Sequence, residues 1–181
     1  SWTTTLDLNS IFRCRNAEAP SADQRRLEVE SGCGKGSFLL ARAIAHQETD
    51  FLGIDRKLKR LRVANRKITR NNLRNVALLR LEAGYTIKYL IPDNSVDAYF
   101  VLFPDPWPKR RHHTKRLFQK AFVKDLAHTL KPDGEVHTAT DHSDYFAWIR
   151  NVMSDSRLFK EITPYSPAAG ERTNFEHLFQ S

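Results

Sequence analysis

The sequence predicts an α/β protein built on a mainly parallel, seven-stranded sheet with helices on both faces. Three observations lead there. Apolar strand patterns alternate with helical ones along the 181 residues, an order that gives parallel sheets covered on both sides. A glycine-rich turn, Gly32-Cys33-Gly34-Lys35-Gly36, joins the first strand pattern to the first clear helix pattern. Val96 to Phe103 is an apolar run, as expected of a strand buried on two faces.

The elements follow in order. Residues 1–26 read as an irregular N-terminal segment. Leu27 to Glu30 is the first strand, Phe38 to His46 a helix, and Phe51 to Asp55 the second strand. Leu58, Leu61 and Ile68 recur at helical spacing within Arg56 to Arg74. That stretch is therefore an amphipathic helix with a basic outer face, stopped near Asn71-Asn72. Val76 to Leu79 is the third strand, Tyr85 to Leu90 a short helix, and Val96 to Phe103 the fourth strand. Lys115 to Leu130 reads as one long helix with Lys131-Pro132-Asp133-Gly134 as its stop and turn. Glu135 to Thr140 is the fifth strand and Tyr145 to Met153 a further helix. Leu158 to Thr163 and Thr173 to Phe179 are expected to close the sheet as the sixth and seventh strands. The length fits a single domain over residues 1–181, burying about 70% of its unfolded surface.

Composition narrows the function classes. Hydrophobic content of 40% and charged content of 28% exclude disordered and collagen-like chains. No apolar stretch approaches the roughly 18 residues of a membrane span, and no signal-peptide pattern opens the sequence. No membrane partner and a cytoplasmic setting are therefore expected. Cys14 and Cys33 are too few for a disulfide framework or a structural zinc site, which suits a reducing compartment. His112 and His113 lack neighbouring ligands at metal-binding spacing, so no metal is expected. Twenty-nine Lys and Arg against 21 Asp and Glu leave a net charge of +8. That excess favours an anionic partner, nucleic acid first. The charge is clustered: nine cations and no acid between Arg56 and Arg74, then Lys109, Arg110, Arg111, Lys115 and Arg116. The first cluster reads as a solvated helix face or a remote RNA contact. The second follows a proline-rich break and reads as phosphate-binding.

The glycine turn, preceded by Glu30, admits three nucleotide-type readings. A P-loop needs Gly, four residues, then Gly-Lys-Ser/Thr; here Gly34-Lys35 is followed by Gly36 and preceded at that distance by Val29. A dinucleotide fingerprint places its third glycine at position 37, one residue beyond Gly36. Glu30 would also set a carboxylate where a pyrophosphate should lie. An acid ahead of Gly32, Gly34 and Gly36 suits a phosphate-free cofactor with a cationic amino-acid end, S-adenosylmethionine. Asp55, ending the second strand, would then accept its ribose hydroxyls.

Beyond the fourth strand lies Phe103-Pro104-Asp105-Pro106-Trp107-Pro108-Lys109-Arg110. Three prolines in five residues fix backbone angles and reduce what must be ordered on binding. The loop thereby holds Asp105, whose carboxylate suits the donor edge of guanine, and Trp107, which can stack on a base or serve as a buried anchor.

With these residues in place the sequence resembles bacterial tRNA (guanine-N7-)-methyltransferases. The resemblance rests on Glu30 to Gly36, Phe51 to Asp55 and above all Phe103 to Leu117. Thr140-Asp141, Tyr145 and Thr173-Asn174-Phe175-Glu176 match in order, over about residues 11 to 180. It implies a class I, Rossmann-like methyltransferase domain, S-adenosylmethionine as cofactor, and 7-methylguanosine in the variable loop of tRNA as product. By the same resemblance Glu30, Asp55, Glu82 and Asp105 contact the cofactor, and Asp105 is also the catalytic candidate. Lys109, Asp141, Thr173, Asn174, Phe175 and Glu176 correspond to tRNA-binding positions, with Arg110 and Arg111 beside them. Glu82 stands where the family commonly has Asp or Asn, and His177 where it usually has Arg. A monomer or homodimer without an obligatory protein subunit is expected. Three rivals remain: a class I methyltransferase with another substrate, a nicotinamide-dependent oxidoreductase, and a non-catalytic RNA-binding module. The glycine spacing disfavours the second, and the intact cofactor and loop motifs disfavour the third.

Overall fold

The computed structural model describes residues 4–13 and 25–163. Among them the element order is α1 (Leu8–Arg13), β1 (Arg26–Ser31), α2 (Ser37–Ala45), β2 (Thr49–Ile54), α3 (Leu58–Arg70), β3 (Val76–Leu79), α4 (Ala83–Tyr89), β4 (Val96–Leu102), a 3-10 helix (Arg110–Lys115), α5 (Lys120–Thr129), β5 (Leu130–Ala139) and α6 (Ser143–Ser156). The strands form one sheet in the order β3-β2-β1-β4-β5, and all four pairings are parallel. The chain therefore reverses beside β1, where β2 and β4 flank it. Ligands of open parallel sheets bind at such a reversal, beyond the carboxyl ends of the strands.

Side-chain alternation on β1 explains the three layers. Leu27 and Val29 join the larger core with Ile87 of α4, Phe122, Val123 and Leu126 of α5, and Tyr145 and Ile149 of α6. A second core lies between Phe51 and Val76 of the sheet and Leu39, Leu40, Ala43, Leu61 and Ile68 of α2 and α3. Glu28 shares the α2 side with Glu30 and is buried there, gripped by Arg42 of α2 at 2.6 and 2.9 Å. Gly53 lets α2 approach the sheet. A Cβ there would lie 2.6 Å from Leu39 Cδ2 and 2.9 Å from Cys33 Sγ.

Several sequence expectations change. The N-terminal segment is not wholly irregular, because Leu8–Arg13 is helical. Asp7 accepts the Ser10 backbone N–H at 3.0 Å, capping the turn, and Leu8, Ile11 and Phe12 pack on the larger core. The long helix from Lys115 is also corrected. Residues 110–115 form a 3-10 turn, Arg116 and Gln119 are extended, and the α-helix begins only at Lys120. Arg116 is drawn under the loop before it, which unwinds the expected first turn. Lys131 to Gly134 does not end the pairing but sits within β5. The step from Val96 to Ala98 on β4 is matched by the longer step from Leu130 to Glu135, a bulge around Asp133, whose φ is 63°. Leu158 to Thr163 forms no strand: it pairs with none of the strands among the described residues, and Leu158 and Ile162 are about half exposed. Thr173 to Phe179, the expected seventh strand, lies outside the described residues, among which the sheet has five strands.

Because the atoms facing Gly53 belong to packed side chains, Gly53→Ala is expected to destabilise the fold by about 1–3 kcal/mol. Chemical denaturation of the two proteins measures that difference.

Candidate active site

Parallel pairing brings three chain segments to one edge. Glu30 pairs with Gly53 of β2 and Phe100 of β4, so the residues following each strand emerge side by side. The turn after β1 folds over the end of β2: Gly32 and Cys33 donate their N–H groups to the Ile54 carbonyl at 2.8 and 3.0 Å. Gly32, Gly34 and Gly36 have φ of 79°, 56° and 71°. These left-handed angles are strained for residues with a Cβ. Gly36 also abuts α3, where a Cβ would meet that of Ala64 at 2.9 Å. Asp55 organises the same turn, accepting from Gly34 N–H at 3.0 Å and Lys57 N–H at 2.6 Å.

Glu30 is the anomaly of this edge. It is 6% exposed, and its Oε2 has no hydrogen-bond partner among the described residues. Burial pushes its pKa up to about 8, a Leu39 backbone N–H opposes that rise, and the Asp55 charge adds to it. Glu28, two residues earlier on the same face, has a guanidinium partner; Glu30 has none among the described residues. An unpaired buried carboxylate is costly unless a cation completes it. Cys33 beside it is no nucleophile, because burial drives its thiol pKa upward. Glu82 caps α4, accepting from Gly84 and Tyr85 N–H at 3.0 and 2.6 Å. Its carboxylate is thus fixed at the end of β3.

The proline loop leaves β4 next to the end of β5, with Phe103 N–H donating to the Ala139 carbonyl at 2.8 Å. Asp105 is exposed, as is Asp141 beyond β5. Phe103 and Trp107, which flank the Pro-Asp-Pro core, have φ of 50° and 44°. Non-glycine residues held there mark a conformation fixed by surrounding contacts. Trp107 is half-buried, with His112 edge-on at 5.7 Å and the Lys115 ammonium 4.9 Å from its ring.

What fixes the loop is Arg116, which the sequence reading assigned to phosphate. The structure corrects that assignment: its side chain has no solvent exposure. Its Nε donates to the Pro106 carbonyl at 2.9 Å, and its Nη2 pairs with Asp144 of α6. The guanidinium lies 5.0 and 5.2 Å from the Tyr145 and Trp148 rings. Its pull holds the Asp144 carboxyl below the usual carboxylate range. The sequence hint was slight: Arg116 opens the apolar pair Leu117-Phe118. Lys109, Arg110 and Arg111 are exposed and form no ion pair among the described residues. Thr173 to Glu176 lie outside the described residues. No group of three or more metal-ligating side chains occurs among the described residues.

A parallel sheet of this order, with a Gly-x-Gly-x-Gly turn on its central strand and acids ending the first two strands, is the architecture of class I methyltransferases. Solved structures agree on the fold. An antibiotic-related methyltransferase superposes with a TM-score of 0.60 at 22% identity, covering 85% of this chain and 77% of the other. A SAM-dependent methyltransferase from Aquifex aeolicus gives 0.54 at 18%, covering 75% and 74%. Residues 24–180 match the family model described as "Putative methyltransferase". Sequence relatives are more specific. The tRNA (guanine-N(7)-)-methyltransferase of Nitrosococcus oceani is 37% identical over 96% of this chain and 70% of its own length. That of Nitrosomonas eutropha is 34% identical over 94% and 74%. The Thermotoga maritima enzyme of the same name is 37% identical over 74% of this chain, which spans 43% of its length. The chain belongs to the tRNA (guanine-N7-)-methyltransferase family.

Two outcomes follow from the buried charges. In the free protein Glu30 keeps its proton between about pH 4.5 and 8, where the unfolded chain releases it. Folding stability is therefore lost as pH rises through that window. Thermal melts should show a larger fall in Tm from the bottom to the top of this range for wild type than for Glu30→Gln; parallel curves would refute the assignment. Arg116→Ala removes a buried side chain, two ring contacts and the Pro106 bond. It should destabilise the protein by on the order of 2–4 kcal/mol in denaturant titrations.

Proposed function

We propose that this chain transfers a methyl group from S-adenosylmethionine to N7 of a guanine in tRNA, and that the guanine lies in the variable loop. The observation that carries the reading is the unpaired, buried Glu30 carboxylate at a left-handed glycine turn, one strand from the proline-clamped Asp105. Family membership supplies the reaction and the tRNA. The variable-loop position rests on the sequence resemblance.

The residues present fit the cofactor. Glu30 offers a carboxylate for a cationic ammonium, and a Cβ at Gly32 would meet nothing within 4 Å, so the turn leaves space beside it. Glu30 would hold the amino-acid end, Asp55 the ribose hydroxyls, and Glu82 the adenine side. The backbone of Gly32, Gly34 and Gly36 would allow close approach, and Asp105 would close the other side. When bound, S-adenosylmethionine supplies an electrophilic methyl on a sulfonium. A cation against Glu30 favours its ionised form, so this contact strengthens cofactor binding as pH rises toward about 8.

Guanine N7 carries a free lone pair, so no proton leaves before it bonds to the methyl carbon. The bound cofactor would supply that methyl and keep the bonding electron pair as a neutral thioether, so the positive charge would end on the purine. Alignment and charge stabilisation are thus what the chain must provide. Asp105 and Asp141, which follow the adjacent strands β4 and β5, are the candidates to stabilise that developing charge. Lys109, Arg110 and Arg111 bind phosphates, and by the sequence resemblance Thr173 to Glu176 belong to the tRNA-binding positions. A tRNA substrate sets the protein in the cytoplasm.

Labelled S-adenosylmethionine and unmodified tRNA test the reading, with the methyl group mapped afterwards. Label at guanine N7 is expected. RNA binding without transfer points instead to a non-catalytic module, and label elsewhere to another substrate. Asp105→Ala is expected to lower kcat by about 10²-fold or more with an unchanged melting curve. Near-normal turnover removes Asp105 from the mechanism.

A further inference from the structure

Four cations of α3, Lys59, Arg62, Arg66 and Arg70, take no part in the site just described. Leu61, Ala64 and Ile68 bury one side of this helix. Lys59, Arg62, Arg66 and Arg70 are all exposed, and at 3.6 residues per turn they line the opposite side as a stripe about 16 Å long. None of the four has an acidic partner among the described residues. Among the described residues the ion pair of α3 is Arg60 with Asp55, at 3.8 Å. Lys67 turns sideways, its Nζ 3.3 Å from the Lys35 carbonyl and from Ser37 Oγ. The helix itself contains no acid. Like charges three and four residues apart repel and weaken a helix, so the stripe carries a cost that an anionic partner would relieve.

We propose that this stripe is a second RNA-contact surface, which holds tRNA backbone phosphates away from the methylated guanine. The proposal rests on tRNA being the substrate. The chemistry selects phosphate over other partners. A membrane-surface helix needs a free apolar face, whereas the apolar face of α3 is committed to the core. Protein docking sites centre on aromatic anchors, and α3 has none. Four point charges in a row, without base-reading geometry, suit a sugar-phosphate backbone. The placement also fits. α3 starts just after Asp55 at the carboxyl edge of the sheet and runs down the β3 flank, while Lys109 to Arg111 emerge beyond β4. RNA touching both clusters would straddle the glycine turn.

The test compares two fourfold variants of equal charge change. One is K59Q/R62Q/R66Q/R70Q. The other, K88Q/K120Q/K124Q/K160Q, neutralises exposed lysines away from α3. Glutamine is a good helix former and removes repulsion, so α3 should persist; the twofold R62Q/R66Q serves if the fourfold protein is poorly folded. tRNA affinity is measured across a salt series with S-adenosylmethionine affinity and kcat at saturating tRNA. The stripe variant should lose about 3 from the slope of log affinity against log salt, at about 0.7–0.9 per phosphate contact, and the twofold variant about half that. KM for tRNA should rise, with kcat and cofactor affinity unchanged, while the control keeps the wild-type slope. An unchanged slope in the stripe variant shows a merely solvated face. Equal losses in both variants show a general field. If wild type binds no tRNA, the substrate reading and this proposal fall together. If kcat alone falls, the stripe is not a binding surface.

Discussion

β1 runs parallel between β2 and β4, and everything that carries chemistry depends on that pairing. Hydrogen bonding in one direction on both sides sends Ser31, Ile54 and Leu102 out at the same edge. Residues far apart in sequence, Glu30, Asp55 and Asp105, are therefore carried at or just beyond one edge of the sheet, with Arg116 holding the loop of the third. Small side chains make this possible. Gly53 admits α2 onto the sheet and Gly36 admits α3, so the turn between them can lie flat over the end of β2.

Two glutamates on one strand show how the fold separates structure from function. Glu28 and Glu30 point to the same side of β1 and both are buried. Arg42 completes Glu28, and the pair is part of the packing between α2 and the sheet. Nothing equivalent reaches Glu30 Oε2 among the described residues. Its proton then stays on up to about pH 8, and under the proposed function the cofactor's ammonium would be the cation that completes it.

Positive charge divides in a comparable way. Arg116 belongs to the interior, where Pro106, Asp144 and two aromatic rings hold it and through it the Asp105 loop. Lys109 to Arg111 stay outside on the same loop. The α3 stripe lies on a different flank, backed by its own small core. One net charge of +8 therefore covers a buried strut, a loop beside the candidate catalytic aspartate and a helix face.

The sequence by itself determined the strand–helix alternation, the glycine turn, the acids that end β1 and β2, and the clamped loop after β4. Each is written in local periodicity, in residue types that limit backbone angles, or in motif spacing. Other features escaped it. The helix at Leu8 carried a short Asp cap and three apolar positions, too little to stand out from an irregular start. The bulge at Lys131 to Gly134 looked like a terminator because proline and glycine punctuate turns, yet β4 still pairs on either side of it. Only the tertiary structure decided that Arg116 is buried while Arg110 and Arg111 are not, and that Glu30 lacks the partner Glu28 has. Burial and pairing of a charge depend on what distant segments bring against it, and adjacent residues of the same type carry no local sign of that.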